Sequence, residues 1–107
     1  MPNLSFTSPS GLHKDSHYTS PYDMALIAKA AYENETFREF FTTATYTIPR
    51  TNKSEERFCS NTHKMMFESS PYYFDGVLGG KTGHTSQAGY TLVTFYEKDG
   101  MRLLVVT

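Results

Sequence analysis

Asp75-Gly76-Val77-Leu78-Gly79-Gly80-Lys81-Thr82-Gly83-His84-Thr85 is the stretch on which the reading of this chain turns. A few residues later comes Gly89-Tyr90-Thr91-Leu92-Val93-Thr94-Phe95-Tyr96-Glu97, a run of β-branched and aromatic residues. Such residues suit a pleated, half-buried surface, so the run predicts a strand. Tyr90, Leu92, Thr94 and Tyr96 fall on one face; Thr91, Val93 and Phe95 fall on the other. Each face mixes apolar or aromatic groups with threonine, which predicts partial burial on both sides. Lys98-Asp99-Gly100 then supplies Asp-Gly, whose glycine tolerates positive φ, and this predicts a hairpin. The apolar run Leu103-Leu104-Val105-Val106 suits a central strand. Three strands are expected, over Gly76–Thr85, Gly89–Glu97 and Met101–Thr107, as an antiparallel meander.

Upstream the pattern changes. Pro2, Pro9 and Gly11 break any period, so residues 1 to 19 read as irregular. Ser20 can cap a helix, Pro21 fits its first position, and Asp23 stands three after the cap. Met24, Ile27, Ala28 and Ala31 then form one apolar face. Asn34 ends this helix and caps a short second one, with Phe37, Phe40 and Phe41 as core. Ala44 to Ile48 predicts a short strand stopped by Pro49. Residues 50 to 63 are polar and charged and predict little regular structure, while Lys64 to Glu68 predicts a helical turn. The fold class is α+β: helices first, then the meander.

The chain has 107 residues, the size of one domain or part of one. Its net charge of −1 offers no clustered basic surface, so nucleic acid is not an expected partner. Met1-Pro2-Asn3-Leu4 has no basic region followed by an apolar one, so it does not read as a signal peptide. Cys59 is the single cysteine and reads as a small packing residue. His13 and His17, four apart, would share a helix face, but Gly11 and polar neighbours predict a loop and no third ligand follows; no metal is expected. Tyr72, Tyr73 and Phe74 either line a groove or, the favoured reading, pack under the Lys81 strand.

Two chemistries compete for Gly80-Lys81-Thr82. A phosphate loop needs a glycine five before Gly80 and a helix after it. Asp75 occupies that position, Gly76 is one residue too close, and a strand-like run follows. The other candidate is the Lys-Thr-Gly strand of penicillin-recognising enzymes. On a strand Lys81 and Gly83 share a face and Thr82 points opposite. A lysine ammonium attracts a carboxylate, a threonine hydroxyl can hydrogen-bond one, and glycine lets a peptide backbone lie close to the strand edge.

The flanks carry a resemblance over almost the whole chain. Ser10-Gly11-Leu12, His17-Tyr18-Thr19 and Tyr22-Asp23-Met24-Ala25 come first; Tyr46-Thr47-Ile48-Pro49-Arg50-Thr51-Asn52 and Asn61-Thr62-His63-Lys64-Met65 follow. With Asp75-Gly76, Gly79 through Thr85, and Ala88 through Val93, they resemble, in order, segments of the low-molecular-mass penicillin-binding D-Ala-D-Ala carboxypeptidases. The resemblance implies a partial transpeptidase-like domain over residues 1–107, with the β-lactamase-like fold. It implies a serine acyl-transferase needing no cofactor, acting in the bacterial cell envelope outside the cytoplasmic membrane. Its partners would be peptidoglycan stem peptides ending in D-Ala-D-Ala, and β-lactams.

By the same resemblance Lys81 would stand beside the reacting serine and polarise the site. Thr82 would bind the substrate's terminal carboxylate, Gly83 would admit the substrate backbone, and the His84 backbone N–H would be one of two oxyanion donors. The His84 side chain is read as a rim group, not a general base. The family's Ser-x-x-Lys and Ser-x-Asn motifs do not occur among these residues; Ser10 is followed at the first spacing by His13. The chain is therefore expected to lack the N-terminal part that holds the nucleophile, to be inactive alone, and to self-associate or pair with that part. The rival reading is a non-catalytic peptidoglycan-binding or protein-interaction module built on the same fold.

Overall fold

A computed structural model describes residues 3–107. Ser20 opens helix α1 (Pro21–Glu33), its hydroxyl accepting from the Asp23 N–H at 3.1 Å while Pro21 supplies a preset φ. Asn34 closes α1 by giving its N–H to the Ala31 carbonyl, and its side chain accepts from the Phe37 N–H to start α2 (Glu35–Thr42). β1 (Thr45–Ile48) and β2 (Arg57–Ser60) pair as an antiparallel ribbon. A single 3-10 turn covers Lys64–Met66. Then β3 (Val77–Thr85), β4 (Gly89–Lys98) and β5 (Met101–Val106) form an antiparallel sheet in the order β3-β4-β5. Between β4 and β5, Asp99 and Gly100 take φ of 52° and 78°, the paired positive values that match a two-residue turn to strand twist.

The α+β class and the three-stranded meander are as the sequence predicts. The helices cover one sheet face. There Phe95, 5% exposed, stacks with Tyr32 at 4.7 Å between centroids and meets Phe41 at 5.5 Å. The opposite face is covered by the segment around His63, itself 1% exposed, whose Nε2 lies 2.8 Å from Thr94 Oγ1. Asn61 fastens that segment to the α2–β1 link. Its N–H donates to the Ala44 carbonyl, its Nδ2 to the Thr43 carbonyl, and its Oδ1 accepts the His63 N–H. The sheet is thus gripped from both sides at the middle of β4.

The Gly79-Gly80 pair makes this grip possible. A Cβ on Gly79 would stand 1.9 Å from the Phe41 carbonyl oxygen, so α2 could not sit as close to β3. A Cβ on Gly80 would stand 1.8 Å from the Val93 carbonyl oxygen and 3.0 Å from the His63 ring. Both obstacles on the near side are backbone, which cannot rotate away. At the far end of the sheet Lys98 and Asp75 pair at 2.9 Å. The Lys98 hydrogen bond and charge hold the Asp75 carboxyl below its usual range, and Asp75 in turn raises Lys98.

Three expectations are corrected. Residues 50 to 63 are not irregular throughout, because Arg57–Ser60 forms β2. All four of its residues are exposed, so it has no buried face and leaves no periodic trace. Met101–Val106 is an edge strand and β4 is the central one, with Leu103 and Val105 about half exposed despite their apolar run. Phe40 is 75% exposed and Phe37 38%; of the three phenylalanines only Phe41 turns onto the sheet.

Candidate functional site: the open edge of β3

Among the described residues β3 has a neighbour on one side only. Which of its backbone groups face the open side follows from the ladder. Leu92 exchanges both backbone hydrogen bonds with Thr107, at 2.9 and 3.1 Å, so its N–H and C=O point toward β5. Its partner on β3, Thr82, therefore sits at a position where β4 offers it no bond, and the Thr82 N–H and C=O turn to the open edge. The same alternation turns out the N–H and C=O of His84, while Lys81 and Gly83 bond across to Val93 and Thr91. The Lys81 ammonium folds along this edge and donates to the Thr82 carbonyl.

Side chains alternate with the backbone. Thr82 and His84 share the face that carries Leu92 and Tyr90, and the rings of His84 and Tyr90 lie 4.3 Å apart. Lys81 and Gly83 take the other face, as the sequence predicts. A Cβ on Gly83 would meet the Thr91 hydroxyl at 2.6 Å. Thr82 Oγ1 stands 2.6 Å from Thr62 Oγ1, so a hydroxyl pair bridges β3 and the segment that leads into the 3-10 turn.

Between them lies a groove of about 720 Å³. Lys81 to His84 make one wall, and Thr62 to Met65 make the other, with Tyr72, Tyr90 and Leu92 completing it. Lys64 and Lys81 both line it and, among the described residues, no aspartate or glutamate does. Such a groove attracts anions, and its aromatic part gives an apolar surface beside the charges. A smaller hollow of about 420 Å³ lies among Ala31, Asn34, Thr36, Phe37 and Phe40, where no side chain titrates.

His63 backs the second wall. Burial pushes its imidazole below the ordinary value, opposed in part by its own backbone carbonyl, which favours the protonated ring as an acceptor. Its Nδ1 is buried and has no hydrogen-bond partner among the described residues, which fits a neutral ring held by Thr94.

All four residues singled out in the sequence, Lys81, Thr82, Gly83 and His84, line this groove. Thr62, Lys64 and Tyr90 also line it and were not assigned there from the sequence. Of the aromatic trio, Tyr72 lines the groove, Phe74 meets Tyr96 at 5.9 Å, and Tyr73 does neither. The Thr62 side faces β3 only because Asn61 and His63 are tied to distant elements, and sequence spacing holds no record of that. A histidine within a polar run was the one local signal. His13 and His17 lie outside any helix: His13 pairs with Asp15, and His17 Nδ1 accepts from the Thr7 N–H. Among the described residues no group of three or more His, Cys, Asp or Glu side chains gathers as a metal site.

The chain as a whole is similar to known proteins. The sequence profile of the peptidase S11 family, D-alanyl-D-alanine carboxypeptidase, matches residues 1–107. The D-alanyl-D-alanine carboxypeptidase DacF of Bacillus subtilis is 36% identical over 107 residues, covering 99% of this chain and 26% of that protein. The crystal structure of a D-alanyl-D-alanine carboxypeptidase from Mycobacterium tuberculosis superposes with a TM-score of 0.81 at 27% identity, covering 98% of this chain and 38% of that one. The Streptomyces K15 DD-transpeptidase superposes with a TM-score of 0.78 at 28% identity, covering 97% and 40%. The chain thus spans about a quarter of the curated relative and about two fifths of the solved ones.

Proposed function

The chain belongs to the D-alanyl-D-alanine carboxypeptidase family, and from that premise we propose that the β3 groove receives the C-terminus of a peptidoglycan stem peptide ending in D-Ala-D-Ala. The peptide lies along the open edge of β3 as an added strand, with its carboxylate at Thr82 and near the Lys81 ammonium. The His84 N–H, which faces the open edge, donates to the penultimate carbonyl oxygen as negative charge develops there. A serine from outside these residues attacks that carbonyl carbon. The C–N bond breaks, D-Ala leaves with a proton on its amine, and water later releases the acyl group. A β-lactam acylates the same serine. The site works in the cell envelope, outside the cytoplasmic membrane.

The observation that carries this reading is the groove's composition: a free strand edge, a hydroxyl pair and two lysines, with no lining carboxylate. No Ser-x-x-Lys or Ser-x-Asn occurs in the 107 residues, so the chain alone does not form an acyl-enzyme. Incubation with a fluorescent penicillin tests this. The expected result is no covalent label on the isolated chain; stoichiometric label on any residue would contradict it. The exposed stripe Met101, Leu103 and Val105 on β5 supports self-association, which sedimentation across concentrations tests.

A further inference from the structure

We propose that Thr62 is a positioning residue for Thr82, aiming the Thr82 O–H into the groove at the ligand's carboxylate. The inference rests on the carboxylate-binding role proposed for Thr82 and adds the group that sets its direction.

The two hydroxyl oxygens lie 2.6 Å apart, so one O–H must donate to the other. A hydroxyl carries one proton and two lone pairs and rotates to suit its partners. If Thr82 donates to Thr62, its proton points away from any ligand on β3. If Thr62 donates to Thr82, the Thr82 proton is free for the groove. A carboxylate only accepts, so its arrival selects the second arrangement. Thr62 then donates to Thr82 and Thr82 donates to the carboxylate, each bond polarising the next.

Thr62 can do this because it is not free to wander. On one side Asn61 is bound to the Thr43 and Ala44 carbonyls. On the other, His63 is buried against Thr94 and Gly80. Thr62 is the exposed residue between two anchored ones. The hydroxyl pair lies in the groove that Lys64 and Lys81 also line.

The test uses the complete gene product that carries these residues, with D-Ala release from an N-acylated peptide ending in D-Ala-D-Ala. Thr62→Val keeps the shape and removes the hydroxyl; Thr62→Ala is a second deletion, and Thr62→Ser keeps the hydroxyl. Losing one neutral hydrogen bond should raise KM about fivefold with kcat nearly unchanged. Thr62→Ser should restore KM, and Thr62→Val should add nothing in a Thr82→Val background. The same peptide with a C-terminal amide, measured as a competing ligand, should bind wild type and Thr62→Val alike. An unchanged KM in both hydroxyl deletions, or an equal loss with the amide, overturns the inference while D-Ala release stands. Absence of D-Ala release from the wild type overturns the functional reading and the inference together.

Discussion

His63 Nε2 and Thr94 Oγ1 meet 2.8 Å apart on the sheet face opposite the helices, with the two residues 1% and 6% exposed. Protonating this ring would place a charge where burial has stripped it of water, a cost its own backbone carbonyl offsets only in part. The folded protein therefore holds the His63 pKa below its ordinary 6.5, and the unfolded chain takes up the proton first. The stability that neutral His63 contributes is present above that ordinary value and is lost as pH falls through the folded one. Urea midpoints should drop from pH 7.5 to pH 5, and by less in His63→Gln. An equal drop in both proteins would remove His63 from the account.

Gly80 and Gly83 should behave differently on substitution by alanine. At Gly80 the new methyl meets the Val93 carbonyl oxygen, and β3 must separate from β4. At Gly83 it meets the Thr91 hydroxyl, which can turn. Gly80→Ala should cost more than about 3 kcal/mol, beyond ordinary overpacking, and Gly83→Ala under about 1.5 kcal/mol. Chemical denaturation ranks the two, and similar costs would show that β3 is not pinned at Gly80.

Phe95 and Phe40 offer the matching contrast in the core. Phe95→Ala removes a buried ring that touches both helices and should cost about 3–5 kcal/mol. Phe40→Ala, at an exposed position, should stay within about 0.5 kcal/mol. Unfolding curves read both directly; a large loss at Phe40 would mean that something covers it in solution.

These contrasts mark what could be read from the sequence and what could not. α1 was legible because its cap, its proline and its apolar spacing are all local. The β4–β5 hairpin was legible because Asp99-Gly100 demands a turn that few residue pairs can adopt. β2 was hidden because its only determinant is pairing with β1 across an intervening loop. Phe40 escapes a sequence reading because i, i+3, i+4 spacing puts all three phenylalanines on one side of α2, while only Phe41 reaches Phe95 on the sheet. Lys81 to His84 were found because the motif is contiguous. Thr62 was not, because its place beside Thr82 depends on bonds from Asn61 and His63 to two other parts of the fold, the α2–β1 link and β4.

The central claim is that the open edge of β3 receives a peptide carboxylate. An amide-resolved NMR titration of the chain with an N-acylated peptide ending in D-Ala-D-Ala tests it most directly. The account predicts that shifts concentrate at the backbone N–H groups of Thr82 and His84, which face that edge, and fade when the peptide's C-terminus is an amide. Shifts centred on the hollow between α1 and α2, or equal shifts with both peptides, would contradict it.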